Sequence, residues 1–219
     1  MHYQYLNGEN WQNIWVVGDL HGCRSQLDAL LLENGFDKQS DLLISVGDII
    51  DRGPDSPGCL ELLEEPWFRC VRGNHEEMAI EALQCHDRLN WIMNGGEWFY
   101  KLKGAKLIAA RHALKQLNIL PLILHLQLAD RIVIVAHADY PAERYAWEQP
   151  LDWHKVVWNR ERITRLQAGD AGKEVGKISG ADEFYFGHTP LERPLESGNL
   201  HYIDTGAVFG NRLTLVQLQ

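Results

Sequence analysis

Three short stretches of the chain bring metal-binding side chains close together: Asp19-Leu20-His21, Gly47-Asp48-Ile49-Ile50-Asp51-Arg52-Gly53 and Gly73-Asn74-His75-Glu76. Together they supply aspartate, histidine, a second aspartate, asparagine and a second histidine. These are the donors of a paired-metal site. Each stretch follows an apolar run, and the same habit recurs later, where Ile132-Val133-Ile134-Val135-Ala136 ends at His137 and Phe184-Tyr185-Phe186-Gly187 ends at His188. One Gly-Asp after an apolar run is ordinary turn chemistry. Its repetition with metal donors argues for a built site.

The elements that must position these donors follow from the same pattern. Short β-branched or aromatic runs read as buried strands, here Ile14 to Val17, Leu42 to Val46, Phe68 to Val71, Ile132 to Ala136 and Phe184 to Gly187. Donors at strand C-termini converge on one sheet edge, where open α/β folds place their sites. Ser25 to Asn34, Pro57 to Glu65 and Glu76 to Cys85 read as helices between the strands, so the alternation predicts βαβ units and a largely parallel sheet. Leu107 to Leu117 reads as an amphipathic helix in an excursion beside the sheet. Pro121 to Leu126 reads as an apolar strand or a buried connection, and Leu200 to Ile203 and Leu213 to Leu218 as closing strands. The aromatic stretch from Trp91 to Tyr100, with Gly95-Gly96 inside it, reads as core and turn. Asp139 to Asp182 is charged, rich in tryptophan and without clear period, which predicts a functional or disordered loop.

The 219 residues, 45% hydrophobic and 23% charged, suit one domain spanning 1–219. A formal net charge of −9 argues against nucleic acid as a partner. Cys23, Cys59, Cys70 and Cys85 lack zinc-site spacing and read as reduced thiols. The polar, aromatic N-terminus does not read as a signal peptide, and the apolar runs fall short of the ~20 residues of a membrane helix. A soluble cytoplasmic protein is the expectation.

The three opening motifs, in this order, resemble the signature of the phosphoprotein phosphatase family of metallophosphoesterases, and the resemblance extends from Trp15 to the closing Ile203-Asp204-Thr205-Gly206-Ala207. It implies the calcineurin-like α/β fold: a β-sandwich of two mixed sheets flanked by helices, with metals at one edge. It implies two divalent ions, the first held by Asp19 and His21, both bridged by Asp48, the second held by Asn74, His137 and His188. Nitrogen and oxygen donors without thiolate suit Mn²⁺, Fe or Zn²⁺, and Mn²⁺ is the expectation. The implied reaction is phosphomonoester hydrolysis by direct attack of a metal-bound hydroxide. His75 is the implied general acid and Asp51 the carboxylate that orients it. Arg52 and Arg72 match the family's phosphate-gripping arginines. A third matches in Trp158-Asn159-Arg160, with Arg162 and Arg165 close by.

The chain's compact length, with His137-Ala138-Asp139-Tyr140-Pro141, is similar to the bacterial and bacteriophage branch of serine/threonine protein phosphatases. Phosphorylated proteins or peptides are the implied partners. The nearest rival is symmetrical dinucleoside tetraphosphate hydrolase, a sister enzyme that generally lacks the aspartate found here as Asp51. A non-catalytic phosphopeptide-binding module should have lost a ligand, the acid or an arginine, and all are present.

Overall fold

The computed structural model describes residues 2–84, 86–169 and 175–219. Its strands are β1 (Tyr3–Asn7), β2 (Ile14–Val17), β3 (Leu42–Ser45), β4 (Phe68–Cys70), β5 (Ile123–Gln127), β6 (Ile132–Ala136), β7 (Glu183–Phe186), β8 (Leu195–Ser197), β9 (Leu200–Tyr202) and β10 (Leu215–Gln217). The α-helices are α1 (Arg24–Glu33), α2 (Ser56–Glu61), α3 (Asn74–Leu83), α4 (Arg88–Trp91), α5 (Glu97–Lys101), α6 (Gly104–Gln116), α7 (Trp153–Trp158) and α8 (Glu161–Gln167).

Two sheets form, ordered β1-β5-β6-β7-β9-β8 and β10-β2-β3-β4. Both are mixed. β2, β3 and β4 run parallel with β10 antiparallel at the edge, while β6, β7 and β9 run parallel between antiparallel partners. The expected two-sheet α/β architecture is therefore present.

Strand β2 shows why the apolar runs do not alternate with polar residues. Ile14 and Val16 pack into the core between the sheets, against Leu124, Leu126, Val133 and Val135. Trp15 and Val17 face the other way, into the core formed with Leu27 and Leu31 of α1, Leu60 of α2 and Met78 of α3. A strand buried on both faces needs apolar residues at every position. The second sheet repeats this, its outer face covered by Val156, Val157 and Ile163 of α7 and α8.

Three regions differ from the sequence reading, one being the stretch from Trp91 to Tyr100, expected as core and turn, which instead ends α4 and forms most of α5. The polar, aromatic start of the chain forms β1, which pairs in parallel with β5 at the edge of the larger sheet. The expected irregular loop from Asp139 to Asp182 instead contains α7 and α8. These helices are too short to display a period, and an aspartate cap (Asp152 accepting from the Lys155 N–H at 3.4 Å) fixes the start of α7. Residues 170–174 of that segment, and Cys85, lie outside the described residues; Cys23, Cys59 and Cys70 are buried free thiols, as expected. Among the described residues, no helix is long and apolar enough to cross a membrane.

Candidate metal centre

Strands deliver the donors. Asp19 follows β2, Asp48 follows β3, Asn74 and His75 open α3 just after β4, His137 directly follows β6, and His188 lies beyond β7. All six side chains are buried, as is that of His21. Backbone bonds stitch these loops into one edge. Leu20 and His21 N–H both donate to the Asp48 carbonyl at 3.2 and 2.8 Å, and Gly187 N–H donates to the His137 carbonyl at 2.7 Å. Gly187 also presses against Asp19, where a Cβ would overlap the carboxylate. His21, Asp48, Asp51, Arg52 and His188 adopt positive φ between 42° and 75°. Non-glycine residues in that region cost energy and cluster at functional sites.

The buried donors form two groups that share Asp48: His21, Asp48 and His75 in one, and Asp48, His137 and His188 in the other. In the second group, Asn74 Oδ1 lies 2.9 Å from His137 Nε2 and 2.8 Å from His188 Nδ1. His137 gives its Nδ1 proton to the Val46 carbonyl at 2.8 Å, which leaves the Nε2 of a neutral ring as a lone pair. That lone pair faces Asn74 Oδ1 and, at 3.4 Å, Asp48 Oδ1. Acceptors converging on acceptors require a cation or a proton between them, so the residues fit a metal. The far nitrogen of His188 is held by the Trp158 carbonyl at 3.3 Å, and that of His21 by the Ile50 carbonyl at 3.0 Å, the outer contacts that orient metal-binding imidazoles.

The electrostatics agree. Burial pushes His21 and His188 down to about 3, so both are neutral and able to offer a lone pair. Burial works to raise Asp48, but the imidazoles of His137 and His75 outweigh it and hold the carboxylate ionised, well below its usual range. His137 is driven the other way: burial opposes its charge, and Asp48 overcomes that. A proton there does a cation's work. Asp19 is raised by burial and by the neighbouring Asp204 and Asp48 charges, the repulsion a bound cation relieves.

Asp19 differs in detail from the expected first ligand group. Its carboxylate turns onto the His188 N–H, at 3.2 and 3.0 Å, and His75 rather than Asp19 completes the group with His21 and Asp48. The His75 ring donates through Nδ1 to Asp51 Oδ2 at 2.8 Å. Its Nε2 is buried without a hydrogen-bond partner, 3.9 Å from Asp48 Oδ2.

The sequence profile of calcineurin-like phosphoesterases matches residues 12–202. The chain belongs to that family. It is 49% identical to serine/threonine-protein phosphatase 1 of Salmonella typhimurium, covering 99% of this chain and 97% of that protein. It is 38% identical to serine/threonine-protein phosphatase 2 of Escherichia coli, covering 99% and 98%. The crystal structure of a protein described as a putative diadenosine tetraphosphatase superposes with a TM-score of 0.75 at 26% identity, covering 99% of this chain and 93% of that one.

Within this calcineurin-like phosphoesterase the arginines separate. Arg52 reaches the cluster, donating to His21 Nε2 at 2.7 Å. Arg160 lies beside it, 3.4 Å from the His188 carbonyl, whereas Arg162 is tied to Asp139 at 2.9 Å. Arg72 is not brought to the cluster. Its guanidinium bonds Glu77 at 3.0 Å and the carbonyls of Asn118 and Leu120 at 2.8 and 3.2 Å. The glutamate beside it at the start of α3 draws it aside.

Three supporting residues escaped the sequence reading. Glu76 accepts from the N–H groups of Asp48, Gly73 and Ile49 and so fixes two of the motif loops together. Its place in Gly-Asn-His-Glu was the available signal. Trp91 and Trp98 both donate to Asp51, at 2.8 and 2.7 Å; nothing in an aromatic run names its partner.

Proposed function

We propose that this protein is a metal-dependent serine/threonine protein phosphatase, a single catalytic domain acting on phosphorylated proteins or peptides. The observation that carries the reading is the His75–Asp51 pair at 2.8 Å, with His75 Nε2 open and directed at the donor cluster. A leaving serine or threonine alkoxide needs a proton, and an imidazole held by a carboxylate on one side can give it from the other. The similarity to two bacterial serine/threonine-protein phosphatases supports the same substrate class.

His21, Asp48, His137, His188, Asn74 and Asp19 would hold two divalent ions, with Mn²⁺ the first choice for this oxygen and nitrogen set. Bound there, the ions supply Lewis-acid polarisation of the phosphoryl group and an acidified water. Arg52 now donates into the His21 lone pair, and an ion on His21 would free its exposed guanidinium for phosphate. A planar fork suits that role better than an ammonium. Arg160, beside the His188 carbonyl, would add a second guanidinium, while Arg72 reaches phosphate only by breaking its bonds to Glu77 and the two carbonyls.

Dinucleoside tetraphosphate hydrolysis is the second reading, favoured by the structural likeness to the protein described as a putative diadenosine tetraphosphatase. Phosphate release in Mn²⁺ from a phosphoserine peptide and from diadenosine tetraphosphate, measured side by side, separates them. Preference for the peptide supports the phosphatase. Preference for the nucleotide overturns it, and turnover of neither by metal-loaded protein points to a binding module.

A further inference from the structure

Between α4 and α5 the chain kinks over Ile92–Gly96, where Gly95 adopts a left-handed φ of 104°. Here the distortion has a measurable result. Residues seven apart on a straight α-helix are separated by ~10.5 Å along its axis. The rings of Trp91 and Trp98 nevertheless meet edge-on with centroids 6.2 Å apart, and their indole N–H groups grip the two oxygens of one carboxylate, Asp51 Oδ2 and Oδ1.

The glycines make this approach possible. A Cβ on Gly95 would lie 2.7 Å from the backbone nitrogen of Arg52, and one on Gly96 would lie 2.5 Å from the Trp91 Nε1. Gly95 also accepts the Arg52 N–H at 3.4 Å. Asp51 and Arg52 both sit at positive φ, 75° and 67°, a pair of strained residues that only surrounding structure can hold. Ser56 Oγ takes the Asp51 N–H at 2.8 Å, completing the cradle.

We propose that the Trp91–Trp98 turn is a positioning clamp for the general acid: its two indoles fix the Asp51 carboxylate, and through it the direction of His75 Nε2, while Gly95 seats Arg52. The inference rests on the phosphatase reading above. Neither tryptophan touches the reacting atoms. They act by leaving Asp51 one orientation, in which Oδ2 meets His75 Nδ1. If the indoles served only to satisfy a buried carboxylate, their loss would affect all substrates alike.

Trp98 is partly exposed and Trp91 fully buried, so Trp98→Phe is the variant to make first. It keeps a ring and removes one charge-assisted bond. The clamp predicts a loss of about 10-fold in kcat on a phosphoserine peptide, unchanged KM and metal content, and a clearly smaller loss on p-nitrophenyl phosphate, whose leaving group needs no proton. Equal losses on both substrates, or none, would overturn the clamp. His75→Asn is measured alongside. If it is selective and Trp98→Phe is not, the clamp alone falls; if it is not selective, the acid assignment falls and the clamp's catalytic meaning with it. Independently of turnover, the indole N–H resonances of both tryptophans in the chelated protein should move when Asp51 is replaced by Asn. Unmoved resonances would also overturn the clamp.

Discussion

Replacing Glu76 by alanine should destabilise the protein more than any surface change, and the structure sets the size of the effect. Its carboxylate is buried and accepts three backbone N–H groups: Asp48 and Gly73 on Oε2, both at 2.8 Å, and Ile49 on Oε1 at 2.9 Å. Each buried donor left without a partner costs ~1–3 kcal/mol. Against that stands relief from burying a carboxyl beside Asp48, since burial and the Asp48 charge already push Glu76 up to about 7. The net loss for Glu76→Ala should be about 3–5 kcal/mol, or about 6–20 °C in melting temperature for a chain of this size. Glutamine should cost less. Its oxygen can serve the two donors on the Oε2 side, and only its amide nitrogen meets the Ile49 N–H, so about 1–2 kcal/mol is lost. Calorimetry on the chelated proteins measures both. Alanine melting with the wild type, or glutamine proving the more damaging, would refute the reasoning.

Other perturbations report on the chemistry. His75→Asn should lower turnover of serine phosphate by ~10²–10⁴-fold, the range for loss of a general acid, and cost less on aryl phosphates; steady-state kinetics on both substrates tests it. Arg52→Ala should weaken inhibition by inorganic phosphate, whereas Arg72→Ala should lower the melting temperature with less effect on inhibition, because its bonds hold Glu77 and two carbonyls. Burial lowers His125, whose Nδ1 pairs with the Tyr145 hydroxyl at 2.7 Å. The unfolded chain then binds the extra proton first, so this stability is present above the unfolded value of ~6.5 and is lost as pH falls below it, at up to ~1.4 kcal/mol per pH unit. His125→Gln should flatten the acid limb of the melting profile, and an unchanged slope would count against it.

The clustered donor residues were legible in the sequence because a strand buried on both faces leaves its chemistry to the residues just past its end. Ile14 to Val17 and Ile132 to Ala136 show this directly, and Asp19 and His137 lie where those runs stop. Helices α7 and α8 were not legible. They bury Val156, Val157 and Ile163 amid charged neighbours, too few apolar residues to mark a face. Supporting contacts were hidden for another reason. Trp98 and its partner Asp51 are separated by 47 residues, and no local pattern encodes a bond made by tertiary folding. The same holds for Arg72, whose motif suggests phosphate while Glu77 and the Asn118 carbonyl just past α6 draw its guanidinium away.

The sharing of Asp48 between two donor groups is the centre of the account. Calorimetric titration of the chelated protein with Mn²⁺ tests it most directly. The wild type should take up two ions per chain, and Asp48→Asn should weaken both sites together. A single ion in the wild type, or two ions retained unchanged in Asp48→Asn, would contradict a bridged pair.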